Sequence, residues 1–180
     1  MTTRSISVVI PVNNGERYIR ECLGSVLSQS LKPSEVIVVD DGSTDRTMEL
    51  VRAVNRDILC LEQKRLGPAA ARNVGVEAAS GHYLAFIDAD DLWTKEKLAL
   101  QMGHLAKNPT TDMVFGMMRQ FYSPEVDEAF KSRYACPDTM TPAIHPGAML
   151  LKKETFLRIG PFDASLKMGE FIQWQARAQS

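Results

Sequence analysis

Four short apolar runs, each separated from the next by a helix-spaced segment, constrain this chain more than any other feature. They are Ile6-Ser-Val-Val-Ile-Pro-Val12, Val36-Ile-Val-Val39, Ile58-Leu-Cys-Leu61 and Tyr83-Leu-Ala-Phe-Ile87. Tyr18, Ile19, Cys22, Leu23, Val26 and Leu27 recur at helical spacing and predict a helix from Gly15 to Gln29, broken by Lys32-Pro33-Ser34. Met48, Val51 and Val54 predict a second helix, capped by Ser43 or Thr44. Gly67-Pro68 opens a third and Ser80-Gly81 ends it. A fourth carries Leu98, Met102 and Leu105, with Thr94 as its cap and Trp93 and Leu98 as a hydrophobic staple. Parallel strands need crossovers, and strands without polar alternation are buried on both faces. The first half is therefore an α/β fold, Rossmann-like, with a mostly parallel sheet and helices on both faces.

The second half is less regular and predicts mixed strands. Met113–Tyr122 reads as a strand or strand pair, Val126–Tyr134 as a short helix, Pro146–Leu151 as a strand, Lys153–Ile159 as a helix stopped by Gly160-Pro161, and Phe171–Ala178 as a last helix. The methionines, Met113, Met117 and Met118 among them, read as fillers of core gaps. His82 reads as a surface or packing residue, His104 as solvent-facing, His145 as a lone histidine before proline, and Trp174 as packing.

Composition then removes whole classes of function. The chain has 180 residues, enough for one core but cramped for two, so a single domain over 1–180 is expected. A net charge of -1 offers no positive field for nucleic acid. Cys22, Cys60 and Cys136 lie far apart, without zinc spacing, and their odd count suits a reducing compartment. Ile6–Val12 is too short for a signal-peptide core, and no run approaches the ~20 apolar residues of a membrane span. The expected location is cytoplasmic, with peripheral association at the inner face of a membrane left open.

Open α/β sheets bind ligands at the carboxyl ends of their strands. Strand one ends at Asn13-Asn14-Gly15, strand two at Asp40-Asp41 and strand four at Asp88-Ala89-Asp90-Asp91. Two acidic clusters on one edge repel unless a cation or hydrogen-bond donors answer them. Asp88-x-Asp90 suits Mg²⁺ or Mn²⁺, which one or two carboxylates hold together with substrate phosphates. The plainer alternative is that these aspartates cap a turn and the next helix, and for Asp91 that alternative is preferred. Asp40-Asp41-Gly42-Ser43 can be a turn, or its carboxylates can accept a base N–H or a ribose hydroxyl. Arg72, set among alanines, is either a surface charge or a partner for a diphosphate or an acidic side chain.

Taken in order, these motifs resemble the inverting family 2 nucleotide-sugar glycosyltransferases of GT-A fold. The matching segments are Ile6–Gly15, Val38–Asp45, Gly67–Gly75, Gly81–Trp93 and Gly169-Glu-Phe-Ile-Gln-Trp174. The resemblance implies a nucleotide-sugar-binding half at 1–106 and an acceptor-side half at 107–180. The chain stops soon after the last motif, which leaves open whether the acceptor-side half is native at its C-terminus or truncated. Pro11, Asn13, Asp40 and Asp41 would line the base and ribose pocket, and Arg72 would lie near the nucleotide or diphosphate. Asp88 would approach the ribose or sugar, and Asp90 would bind Mg²⁺ or Mn²⁺. The donor would be a nucleotide diphosphate sugar, with UDP favoured. The acceptor would be the hydroxyl of a glycan or lipid-linked molecule in polysaccharide, cell-surface glycan or glycolipid synthesis.

Two departures from the family pattern bear on chemistry. Many relatives have tyrosine where this chain has Asn13, so an amide would replace a stacking ring. The late motif is often Gly-Glu-Asp, and here Phe171 stands at the aspartate position, leaving Glu170 as the nearest candidate for the catalytic base. The alternative is that Glu170 only opens a helix, where its charge is favourable. Three other functions compete. A pseudoenzyme would bind the nucleotide sugar without transfer. A response-regulator-like domain would carry its acidic pair after strand one rather than strand two. A Rossmann oxidoreductase would need Gly-x-Gly-x-x-Gly after the first strand, and this chain has none.

Overall fold

A computed structural model describes residues 5–166 and 168–179. The first half runs β1 (Ile6–Val12), α1 (Ile19–Leu27), β2 (Glu35–Asp40), α2 (Thr47–Val54), β3 (Leu59–Glu62), α3 (Pro68–Ala78), β4 (Tyr83–Phe86) and α4 (Lys97–Lys107). The second half adds β5 (Met113–Phe115), β6 (Met117–Met118), α5 (Glu128–Arg133), β7 (Thr141–Pro142), β8 (Met149–Lys152), α6 (Lys153–Ile159) and α7 (Glu170–Ala178). The main sheet has the order β3-β2-β1-β4-β8-β5. The first four strands in that order are parallel, and β8 pairs antiparallel with both β4 and β5. The two halves therefore share one sheet.

All seven residues of β1 are buried, as a central strand covered on both faces requires. Alternate side chains feed two cores. Val8, Ile10 and Val12 pack with Ile19 and Leu23 of α1, Val51 of α2 and Leu98 of α4. Val9 packs on the opposite face with Ala71 and Val76 of α3, Phe156 of α6 and Trp174 of α7. Gly75 lets α3 lie close to the sheet, because a Cβ there would come within 2.3 Å of Val9 Cγ1. Trp174 is fully buried against Phe156, Phe162 and Phe171, and its indole N–H donates to Gly160 O. Packing is thus the role of Trp174, as expected.

Several expected boundaries shift for local reasons. The chain turns through Glu16–Tyr18 before α1 begins at Ile19, because Gly15 O takes the N–H groups of both Tyr18 and Ile19. Neither Ser43 nor Thr44 caps α2. Ser43 Oγ accepts Asn14 N–H and Thr44 N–H donates to Asn14 Oδ1, tying the turn after β2 to the turn after β1. The first turn of α2 is served by Asp45, whose Oδ1 accepts the N–H and hydroxyl of Thr47. Thr94 does not cap α4 either. The helix starts at Lys97, and the buried Gln29 amide accepts Leu98 N–H at 3.0 Å while donating to Thr94 O at 2.8 Å. That start also removes the staple register, although Trp93 and Leu98 share one core. Pro146–Ala148 is a 3₁₀ turn, so only the end of the expected 146–151 strand pairs in the sheet.

Gly116 marks where the chain leaves the main sheet. Its N–H donates to Ala148 O and its carbonyl accepts from Ala143 N–H, after which β6 pairs only with β7. No described residue from 117 to 142 is buried. Met117 and Met118 are consequently exposed on this ribbon rather than filling the core, a correction to the reading of the methionines; Met113 is half-buried.

At the opposite, amino-terminal edge of the sheet one carboxylate gathers several donors. Glu35 Oε1 accepts the Ser7 hydroxyl at 2.5 Å, Ser80 N–H at 2.6 Å, Ser80 Oγ at 3.0 Å and Gly81 N–H at 3.2 Å. Burial alone would raise its pKa, but these donors outweigh that and hold it below the usual range. Glu35→Gln should cost about 1–3 kcal/mol in urea unfolding at pH 7. A depressed folded pKa gives stability that is present above the unfolded value of about 4.3 and lost as pH falls through the folded one. The gap between wild type and variant should therefore close toward pH 3; a gap unchanged with pH would refute the assignment.

Candidate active site

The carboxyl ends of β1, β2 and β4 open onto one cavity of about 390 Å³, within the range typical of small-molecule sites. Pro11 and Asn13 reach it from β1 and the turn that follows, Asp41 from the turn after β2, Arg72 from α3, and Asp88 and Asp90 from the loop after β4. Two expected site residues are not part of its wall. Asp40 is buried, and its Oδ1 accepts Ser43 N–H at 3.0 Å within the turn. Glu170 opens α7 and connects to the cavity through Arg72.

Asp41 is almost fully buried and already engaged. Its Oδ1 accepts Gln63 Nε2 at 2.6 Å and Leu66 N–H at 2.7 Å, and its Oδ2 accepts Gly67 N–H at 2.8 Å. These bonds shape the 63–67 loop and set the entry to α3, which carries Arg72. Asn13 Nδ2 donates to Asp41 O at 2.8 Å, so its amide carbonyl is the end left to face a ligand. The Arg72 guanidinium, with only 5% of the side chain exposed, forks between two carboxylates. Its Nη2 donates to Asp88 Oδ1 at 2.6 Å and its Nη1 to Glu170 Oε1 at 3.0 Å. Arginine suits this geometry, since its planar fork presents separate donors at fixed angles.

Charge in the β4 loop is unbalanced. Arg72 answers Asp88, whereas the exposed Asp90 carboxylate has no hydrogen bond or ion pair among the described residues. Burial and then the charges of Asp88 and Asp90 raise the pKa of Asp91, with His145 pulling the other way. Asp91 caps no helix, contrary to expectation: it closes a turn on Asp88 O, and α4 begins later at Lys97. Burial first, and then the field of Asp91, Asp88 and Asp90, pushes the Cys22 thiol up to about 12, which leaves it an inert packing group. His145 Nδ1 accepts Gly147 N–H at 3.1 Å and so orders its own loop. His82 pairs with Ser5 Oγ at the surface, and His104 is exposed.

A divalent cation suits this donor set. No group of three or more His, Cys, Asp or Glu forms a protein-only metal site among the described residues. A free carboxylate facing a cavity fits instead a hard cation that completes its shell with phosphate oxygens and water.

The reading of the residues missed Tyr18, which lines the cavity and whose hydroxyl donates to Glu125, itself paired with Arg17 at 3.2 Å. It also missed Pro68 in the wall and Gln63 behind Asp41. Tyr18 and Pro68 lie just after turns at strand carboxyl ends, a positional signal that could have found them. Gln63 carries no such mark.

The glycosyl transferase family 2 model matches residues 7–160. The chain belongs to glycosyl transferase family 2. An uncharacterized glycosyltransferase of Rickettsia typhi is 30% identical over 174 residues, covering 90% of this chain and 54% of that protein. The crystal structure of Staphylococcus aureus TarS residues 1–349 in complex with UDP superposes with a TM-score of 0.79 at 25% identity, over 97% of this chain and 54% of that one. The mannosyltransferase PcManGT of Pyrobaculum calidifontis, in complex with GDP-Man and Mn²⁺, gives 0.69 at 30% identity over 92% and 49%. This family 2 chain spans about half the length of each of these proteins. Its architecture is GT-A. Among its described residues no helix is long and apolar enough to cross a membrane.

Proposed function

We propose that the chain carries a metal-assisted, inverting sugar transfer from a nucleotide diphosphate sugar, UDP-linked by preference, to an acceptor hydroxyl. The observation that carries this reading is the convergence of Asp41, Arg72, Asp88 and Asp90 on one cavity. The UDP complex of TarS supports the choice of nucleotide. Pro11, Asn13 and Asp41 bind base and ribose, with the Asn13 carbonyl accepting a base N–H. Asp40 serves them by holding the turn. Asp88 contacts the ribose or donor sugar. Asp90 would hold Mg²⁺ or Mn²⁺; Mn²⁺ is the ion present in the PcManGT complex. Such an ion supplies charge neutralisation at the leaving diphosphate.

Glu170 is the base. Arg72 holds its Oε1, while Oε2 has no partner among the described residues and accepts the acceptor hydroxyl proton. The acceptor oxygen forms its bond to the anomeric carbon as the bond from that carbon to the diphosphate oxygen breaks. Both electrons of the broken bond leave with the nucleotide diphosphate, and the anomeric configuration inverts. The 107–180 half serves the acceptor, a glycan or lipid-linked hydroxyl, within a single domain working in the cytoplasm or at the inner face of a membrane.

Thermal shift with UDP, with and without manganese, tests donor binding. At a ligand concentration of 100 Kd, stabilisation should reach about 2.7 kcal/mol. NMR of the product anomer tests inversion. UDP binding without donor hydrolysis or transfer would favour a binding module instead. Asp90→Asn should weaken manganese-dependent UDP binding at least about 10-fold by calorimetry, with metal-free binding little changed. An unchanged manganese titration would remove Asp90 as the ligand.

A further inference from the structure

We infer that Arg72 is a positioning residue for Glu170, linking the donor cavity to the proposed base. This rests on the proposed function and adds a role to it. Asp88, in the loop after β4, and Glu170, at the start of α7, belong to segments that meet at one guanidinium. Arg72 and Asp88 line the donor cavity, and Glu170 does not. The guanidinium is therefore the hydrogen-bonded route, among the described residues, by which the state of the cavity reaches Glu170.

The fork fixes three things together. Nη1 pins one Glu170 oxygen and leaves the other for the acceptor proton. Nη2, anchored on Asp88, prevents the guanidinium from swinging with α7. The buried Arg72 Nε has no partner among the described residues, so the side chain is held from its two outer nitrogens. The Gly169 backbone before α7 is left-handed, with φ of 81°, and carries no side chain that could orient Glu170. A single ammonium cannot reproduce two divergent donors, so lysine is a poor substitute at this position.

The test is a double-mutant cycle of Arg72→Lys and Glu170→Gln, with UDP affinity by calorimetry and turnover under saturating donor. Arg72→Lys alone should lower kcat about 10–100-fold, the scale of losing an orienting partner, a larger loss than its effect on UDP affinity. In the Glu170→Gln background the same change should cost less than about twofold more, because residues that act as a unit are strongly non-additive. Full additivity, or a loss carried by donor affinity rather than kcat, overturns the inference. Should Arg72→Lys not fold, Arg72→Gln goes through the same cycle and is judged by the same two outcomes. A Glu170→Gln enzyme with wild-type kcat would defeat the base assignment itself; a crippled Glu170→Gln enzyme with additive Arg72 losses would defeat only the link.

Discussion

Glu170→Gln should lower kcat by about 10²–10⁴-fold, the usual worth of a positioned general base, and leave UDP affinity within about twofold. Glutamine preserves the shape of the side chain, and its amide oxygen can keep the bond from Arg72 Nη1 that now spans 3.0 Å. What it loses is the second oxygen, since an NH₂ in that place cannot accept the acceptor proton. Glu170 stands outside the cavity wall, so the donor should not sense the change directly. A parallel loss of UDP binding and turnover would mean that Glu170 holds the site together through Arg72 and does not move a proton. The position that holds aspartate in many relatives cannot substitute here. Phe171 is buried, with its ring 6.4 Å from that of Phe162 and 6.2 Å from that of Phe115, so it serves the core beneath the proposed base.

The parts of this fold that were readable from sequence are those where burial imposes a pattern. β1, β2 and β4 show as apolar runs because both faces are covered, and the helices packed on them show helical spacing for the same reason. Residues 117–142 show no such pattern because none of the described ones is buried, so no periodicity is selected there. Helix caps were misread where the partner is remote: Gln29 serves α4 from across the fold, and local Ser and Thr residues gave no hint of it. The cavity wall was legible where it lies on strand ends, as with Asn13, Asp41, Asp88 and Asp90. It was illegible where α7 returns to α3, because the Arg72–Glu170 bond joins residues 98 apart in the chain. Asp40 and Asp41, adjacent and alike in sequence, diverge only in three dimensions, the first closing a turn and the second facing the cavity.

Lys97→Met should stabilise the protein by about 1–3 kcal/mol at pH 6, an amount that follows from the protonation of one enclosed amine. Lys97 is the first residue of α4, and its Nζ lies 4.0 Å from the centroid of the Trp93 ring. It donates to Gln101 Oε1 at 2.9 Å and to Met149 O at 3.5 Å, and no carboxylate pairs with it among the described residues. Burial lowers its pKa to about 7, whereas an unfolded lysine titrates near 10.4. Between those values the unfolded chain holds a proton that the folded chain has released, so folding stability rises with pH across that window. Below pH 7 both states are charged, and the cost of enclosing the ammonium is fully present. The ring and the two acceptors return part of that cost, about 1 kcal/mol each for a cation over an aromatic face and for a hydrogen bond, which is why the expected gain is modest. Methionine keeps the length and the contact with the ring while removing the charge. In urea titrations from pH 6 to pH 10, wild-type stability should climb by about 4 kcal/mol relative to Lys97→Met, closing the gap and then reversing it. Parallel curves over that range would show that the Lys97 amine keeps its proton when folded.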